Sequence, residues 1–350
     1  MTKPRSRQVR PGSSRSRVNA AGRAVRAGVQ TSDDIEVIEN WRKAHNKVLN
    51  DWQASLRAKC KNREVTFAQR LKRRRTIFDK LARQPGMELC RMHDIVGCRL
   101  IFPDMESLYD FRTRFLQNRR SAHEHLKVDR DPYPYDYIQV QHPTGSGYRG
   151  VHDIFRYVAR SQESKPWDGL QIEIQYRTEA QHAWATAVEI AGAITRSETK
   201  FGKGSEAEKD FFRLSSEMIA RSAEGMSSCY PELSNTELIE RFDEIESKTG
   251  TLRHLRHVKM AETAYTEMSK QGESKAMVLV FRPENLTLAI YGFADLSSAS
   301  NYYFGREREN SEEDIVLVRV AGELKKAYEN YFSDTTNFIH LMDRSRELLK

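Results

Sequence analysis

Hydrophobic and polar positions along this chain alternate between two periods. Between 170 and 177 they switch at every residue. Leu170, Ile172, Ile174 and Tyr176 fall on one side, Gln171, Glu173, Gln175 and Arg177 on the other, which is the signature of a strand. Its polar side faces either water or a ligand. Further β-rich runs are 94–102 (DIVGCRLIF, stopped by Pro103), 135–141 (YDYIQVQ) and 151–159 (VHDIFRYVA). A period near 3.6 predicts helices over 32–60, with Ser32 as N-cap, over 64–83, closed by Pro85-Gly86, over 105–118, and over 179–196. Helical periodicity returns from about 204 to 270, with segments ending on Gly225 and Gly250. A hairpin around Glu284-Asn285, a strand at 314–320 and a helix from Leu324 close the chain.

Strands mixed with helices in this order predict an α+β fold, a mixed β-sheet flanked by helices. Four parts are expected: a disordered basic tail over 1–31, a main domain over 32–200, a helical extension over 201–270, and a small C-terminal α/β module over 271–350. No internal repeat is present.

Charge changes the picture at the N-terminus. The net charge is +8, yet residues 1–32 hold eight lysines and arginines and no acid. Removing those eight from the 57 basic residues leaves 49, equal to the 49 acids. The excess therefore sits in one Ser/Arg/Gly-rich stretch, expected to stay unfolded and to attract phosphate, with RNA as partner. A solubility tail or an organelle transit peptide has the same composition. No run approaches the roughly 20 apolar residues of a membrane span, and no secretory signal is evident. The four cysteines form no CxxC pair and read as reduced thiols of a cytoplasmic protein.

Three segments carry candidate chemistry. RLKRRRTIFDKL (70–81) has five basic residues in its first six positions, and with Phe67, Leu71, Phe78 and Leu81 as an apolar seam it reads as a packed helix whose basic side suits a polyphosphate or is simply solvated. Asp94 opens the run 94–102 and is either a solvated strand acid or one of the carboxylates that hold Mg²⁺ on a nucleotide. The pair His93-Asp94 lacks the companion histidines of metal phosphohydrolases. HPTGSGYRGVHDIF (142–155) offers three glycines for close backbone approach, Tyr148 for stacking and His152, or is a plain hairpin loop. Glu173 follows Asp94 by 79 residues on another strand. Two carboxylates, a basic segment and a glycine–tyrosine loop together fit metal-assisted phosphoryl transfer. A non-catalytic nucleotide- or RNA-binding regulator is the rival, but such a protein has no need for two carboxylates close together, since each raises the pKa of the other without a cation.

RLKRRRTIFDKL, DIVGCR, YDYI, GYRGVH and EIQYRTEAQHAWA occur in the order and rough spacing of the RelA/SpoT alarmone synthetases, and the chain resembles the small single-function members of that family. The resemblance implies a nucleotidyltransferase-like mixed sheet and transfer of the β,γ-diphosphate of ATP to the ribose 3′-hydroxyl of GDP or GTP, releasing AMP. It implies that Arg70 and Arg99 hold adenine, that Lys72 and Lys80 bind the donor phosphates, and that Asp94 and Glu173 bind Mg²⁺, Glu173 also helping to deprotonate the acceptor. Tyr148 would stack on the acceptor base, with His152, Gln175, Arg177 and His182 lining the acceptor side.

Two positions depart from the family pattern. Tyr135 stands where a lysine is common before DYI, and Thr144 where a second lysine follows the loop proline. Both fall on the acceptor side. A toxic subgroup of small synthetases pyrophosphorylates the 3′ end of tRNA, and that acceptor is the alternative here. About 30 ordered residues before the synthetase are too few for the hydrolase domain of the long enzymes. The segment 250–350 is then an autoinhibitor, a sensor of a protein trigger, or a structural cap.

Overall fold

The computed structural model describes residues 9–72, 74–117, 123–126, 135–138, 145–198, 205–253, 255–256, 276–282, 287–295, 298–299, 301–302, 305–306, 314–319 and 323–350. The chain divides into two compact units, Met1–Val140 with Gly150–Glu179, and Gln141–Arg149 with Ala180–Lys350.

The first unit contains α1 (Arg15–Ala27), α2 (Ser32–Cys60), β1 (Thr66–Leu71), α3 (Arg74–Arg83), β2 (Val96–Phe102), α4 (Met105–Gln117), β3 (Glu124–His125), β4 (Val151–Arg156) and β5 (Gln171–Thr178). Its five strands form a mixed sheet in the order β1-β2-β5-β4-β3, in which β2 and β5 are parallel and every other pair antiparallel. This is the α+β architecture expected from the sequence. The register divides the faces. Cys98, Leu100, Ile174, Tyr176, Val151 and Phe155 point to the side covered by α2 and α4, where Trp52 lies 4.6 Å from Phe155 and Phe111 lies 6.4 Å from Tyr176 between ring centroids. Burial of each such large side chain contributes about 1.5–3 kcal/mol. Arg70, Gly97, Arg99, Glu173, Gln175 and His152 share the opposite face.

Several sequence expectations change. The helix expected over 64–83 is a strand and a shorter helix. Phe67, Gln69 and Leu71 alternate with Thr66, Ala68 and Arg70, and β1 pairs along its whole length with β2. Arg70 therefore stands on a strand, and the buried seam of α3 is Ile77 and Leu81. Of the strand expected over 135–141, residues 135–138 form a turn with a single bridge, Asp136 to Val151, and the rest lies outside the described residues, as does Thr144. The N-cap of α2 is Thr31, in a capping box with Asp34.

The disordered tail over 1–31 is also corrected, for its described part. Residues 15–27 form α1, capped by Ser14 and by Gly28 in the left-handed region, with Val18, Ala21, Gly22 and Val25 buried in one stripe. A Cβ on Gly22 would stand 3.0 Å from Leu89 Cβ, so glycine lets α1 lie close against the turn after α3. The arginines are engaged locally. Arg17 pairs with Asp33 and Asp34, Arg23 with Glu88, and Arg26 donates to the carbonyls of Leu81 and Met87. Counting charge alone missed this four-residue seam.

His45 is fully buried in α2, its Nδ1–H donating to the Trp41 carbonyl at 2.8 Å, and burial brings its pKa down to about 4. The unfolded chain binds a proton there near pH 6.5 and the folded chain does not. Stability is therefore full at neutral pH and falls by up to about 1.4 kcal/mol per pH unit as pH drops from 6.5 towards 4. His93 and His123, also lowered by burial, act in the same direction. Urea midpoints at pH 7, 6 and 5 should decline, and His45→Asn, which keeps a donor but does not titrate, should decline less. Equal slopes would remove His45 from the account.

The second unit is built on α5 (Glu179–Glu198), α6 (Glu206–Glu224), α7 (Asn235–Thr249) and α8 (Glu323–Leu348), with a three-stranded antiparallel sheet ordered β7-β6-β8 from β6 (Ala276–Arg282), β7 (Thr287–Phe293) and β8 (Asp314–Arg319). Phe211, Leu214 and Met218 of α6, Phe242 of α7, and Phe338 and Met342 of α8 share one core with Trp184 of α5. The boundary expected at 270 is thus no boundary of this core, because the last helix packs into the helical extension. The hairpin turn at Glu284-Asn285 lies outside the described residues. Among the described residues no helix is long and apolar enough to cross a membrane, and all four cysteines are free thiols.

Candidate active site

The end of β1, the start of β2 and helix α3 converge on Asp94. Lys72 follows β1 directly, its amide donating to the Ile95 carbonyl at 2.8 Å and its carbonyl accepting from Arg42 Nε of α2 at 2.8 Å. These bonds fix the backbone, and the side chain turns to Asp94, Nζ to Oδ2 2.5 Å. Lys80, one turn from the end of α3, donates to Oδ1 of the same carboxylate at 3.0 Å. Burial pushes the Asp94 carboxyl up, but the two ammonium groups outweigh it and hold its pKa below the ordinary value. Burial brings the Lys72 ammonium below the usual lysine value even beside Asp94.

On the neighbouring strand β5, Glu173 lies opposite Gly97, where a Cβ would stand a tight 3.1 Å from the Glu173 carbonyl oxygen. The Glu173 carboxylate meets His152 Nδ1 at 3.0 Å and accepts from Gln175 Nε2 at 2.6 Å. Gln175 in turn accepts from Arg99 Nε at 3.2 Å. Burial raises the Glu173 carboxyl, but the bonds from His152 and Gln175 prevail and hold it far below the carboxylate range. Such a group is ionised at any physiological pH, which suits a cation ligand better than a proton acceptor.

His93 stands with both carboxylates. Burial lowers its pKa, while Glu173 and Asp94 each favour its protonated form. Its ring lies 6.0 Å from Tyr135, and Tyr137 sits edge-on to His152 at 5.4 Å. No companion histidines mark His93 in the sequence; its place next to Asp94 at the mouth of a strand is the available signal.

The expected site residues therefore divide. Lys72, Lys80 and Asp94 form one cluster; Arg99, His152, Glu173 and Gln175 form a chain of contacts on the same sheet face as Arg70. Arg177 is buried on that face of β5. Tyr148 and His182 belong to the second unit, Tyr148 packed partly against its helical core.

Residues 69–192 match the sequence profile described as "Region found in RelA / SpoT proteins". The chain carries a RelA/SpoT region. This RelA/SpoT region starts on β1 and ends in α5, and it takes in every side chain named above except those of α2. Uncharacterized proteins of Mycobacterium bovis and Mycobacterium tuberculosis are 29% identical over 190 residues, which is 52% of this chain. The chain spans 59% of the length of these curated relatives. Among solved structures, small alarmone synthetase 1 from Bacillus subtilis is 20% identical, covering 52% of this chain and 90% of that one, with a TM-score of 0.42. The same protein bound to its product pppGpp is 21% identical over 52% and 91%, with a TM-score of 0.42.

The RelA/SpoT resemblance implies magnesium, and the residues fit it. Asp94 and Glu173 are hard oxygen donors, both held ionised. Among the described residues no cluster of three or more His, Cys, Asp or Glu could form an all-protein cage. One or two carboxylates completed by substrate phosphates is the donor set that magnesium prefers.

Proposed function

We propose that this chain is a pyrophosphokinase of the cytoplasm that moves the β,γ-diphosphate of ATP to the ribose 3′-hydroxyl of GDP or GTP. The acceptor oxygen bonds to the β-phosphorus, the bond between that phosphorus and the α,β-bridging oxygen breaks, AMP leaves, and the hydroxyl proton is lost to solvent or base. The observation that carries this reading is the pairing, in a RelA/SpoT region, of a carboxylate held by two lysines with a buried ionised carboxylate on the adjacent strand.

In this reading Asp94 and Glu173 hold Mg²⁺, which supplies neutralisation of phosphate charge in the transition state. Lys72 and Lys80 exchange part of their contact with Asp94 for the donor phosphates, while Arg70 and Arg99 hold the adenine. Gln175 and His152 fix the direction of Glu173, and the resemblance assigns acceptor binding to them and to Arg177, Tyr148 and His182. Little covalent help is needed, because alignment and charge neutralisation account for most of the acceleration of phosphoryl transfer.

A second acceptor, the 3′ end of tRNA, is favoured by Tyr135, whose ring lies against His93 at a position where the resemblance leads one to expect a cation. The described N-terminal arginines speak less for RNA than their number does, since Arg17, Arg23 and Arg26 are engaged within the fold.

The test is to offer ATP labelled in the β-phosphate, with Mg²⁺, to GDP, GTP and bulk tRNA in parallel. Label should pass to one acceptor in step with AMP release. Nucleotide binding without AMP from any acceptor would leave a non-catalytic nucleotide-binding protein.

A further inference from the structure

The Gly145–Arg149 loop, which carries Tyr148, is tied to α6 at three points. Arg213 Nε donates to the Gly145 carbonyl at 2.6 Å, and Ser216 Oγ to the Gly147 carbonyl at 2.7 Å. Arg149 pairs with Glu224, the last residue of α6, with side chains only 4% and 3% exposed. Gln181 of α5 donates to the same carboxylate at 3.0 Å. The contact is close. Gly147 has φ +78°, and a Cβ there would stand 3.2 Å from the Phe212 carbonyl oxygen and from Arg213 Cα.

Helix α6 is held in turn by α8. Ser222 and Ser345 hydroxyls bond at 2.7 Å, and Phe212 and Phe338 ring centroids lie 6.3 Å apart. Met342 is fully buried in the same core. One helix thus bears both the tyrosine loop and the C-terminal helix.

We propose that Arg213, Ser216 and Glu224 are positioning residues that clamp Tyr148 for the acceptor, and that α8 braces the clamp, so the C-terminal segment governs use of the acceptor and not of ATP. This rests on the reading of Tyr148 as the ring that stacks on the acceptor base. A loop fixed through a main-chain carbonyl and a buried ion pair loses less entropy when a base stacks on it. Loss of the Ser216 bond releases the loop and weakens acceptor binding, leaving the phosphate-transfer groups in place.

Ser216→Ala is the mild variant, and Ser345→Ala tests the brace. Ser216→Ala should raise the acceptor KM about fivefold, the worth of one hydrogen bond, with the ATP KM and kcat unchanged. Amide hydrogen exchange over 145–150 should quicken in the same variant. Ser345→Ala should move both readouts in the same direction, by about twofold. An acceptor KM and loop exchange that both stay at wild-type values in Ser216→Ala overturn the clamp, and a kcat loss with unchanged acceptor KM overturns its assignment to acceptor binding. A silent Ser345→Ala beside a responsive Ser216→Ala overturns the brace. If the wild type transfers label to no acceptor, the pyrophosphokinase reading fails separately, and hydrogen exchange still decides whether α6 holds the loop.

Discussion

Glu173→Gln should reduce AMP release about 10³-fold while the protein stays folded. The substitution keeps the volume and one acceptor oxygen, so the bonds from His152 and Gln175 are weakened and not all lost. Charge-assisted bonds at this site are worth about 1.5–3 kcal/mol, so the urea midpoint should fall without collapse of the fold. The catalytic loss has a different origin. A ligand to a phosphate-neutralising cation contributes several kcal/mol to the transition state, and each 1.36 kcal/mol is a factor of ten. Glu173→Asp, which keeps the charge on a shorter stem, should retain more activity than the glutamine variant. A glutamine variant within tenfold of the wild-type rate would remove Glu173 from the chemistry.

That expectation traces to a strand legible in the sequence. The alternation from Leu170 to Arg177 gives the face of Glu173, and the structure pairs that face with Arg99 and His152 on the flanking strands. Period-2 and period-3.6 patterns also located β2, β4, α4, α6 and α7 within a few residues. The period is hidden where charged residues dominate a segment. In 64–83 the basic run fits one helical face, and β1, six residues with no strict inside/outside alternation, is defined instead by its pairing with β2. In 15–27 four arginines obscure Val18, Ala21, Gly22 and Val25, a seam that α2 and α3 complete. Partners distant in sequence supply what no local pattern carries. Arg149 reads as one loop arginine until Glu224, 75 residues later, closes on it in the buried pair. The same holds for the shared core of α6 and α8, whose apolar stripes say that each packs but not on what.

Asp94→Asn should cost both turnover and stability, and the two losses can be separated. The carboxylate lies between Lys72 and Lys80, with side chains 12%, 9% and 17% exposed. Removing its charge leaves two ammonium groups facing each other, and the Lys80 charge already disfavours protonated Lys72. Breaking a buried pair from one side costs about 3–5 kcal/mol, much of it the desolvated charge left behind. The pH dependence has a defined sign. The folded Asp94 pKa lies below its ordinary value, so its contribution is complete above the unfolded value near 4 and disappears as pH falls through the folded one. Wild type and Asp94→Asn should therefore differ most at pH 7 and converge in acid. Adding Lys72→Met to Asp94→Asn removes the stranded charge, so the double variant should regain stability relative to the single one. It should regain no AMP release, because both a cation ligand and a donor-phosphate lysine are gone. Urea midpoints and AMP release measured for the two single variants and the double one make a complete cycle. Strict additivity of the stability changes would mean that Lys72 and Asp94 do not interact. Wild-type turnover in Asp94→Asn would mean that the carboxylate serves the fold and not the reaction.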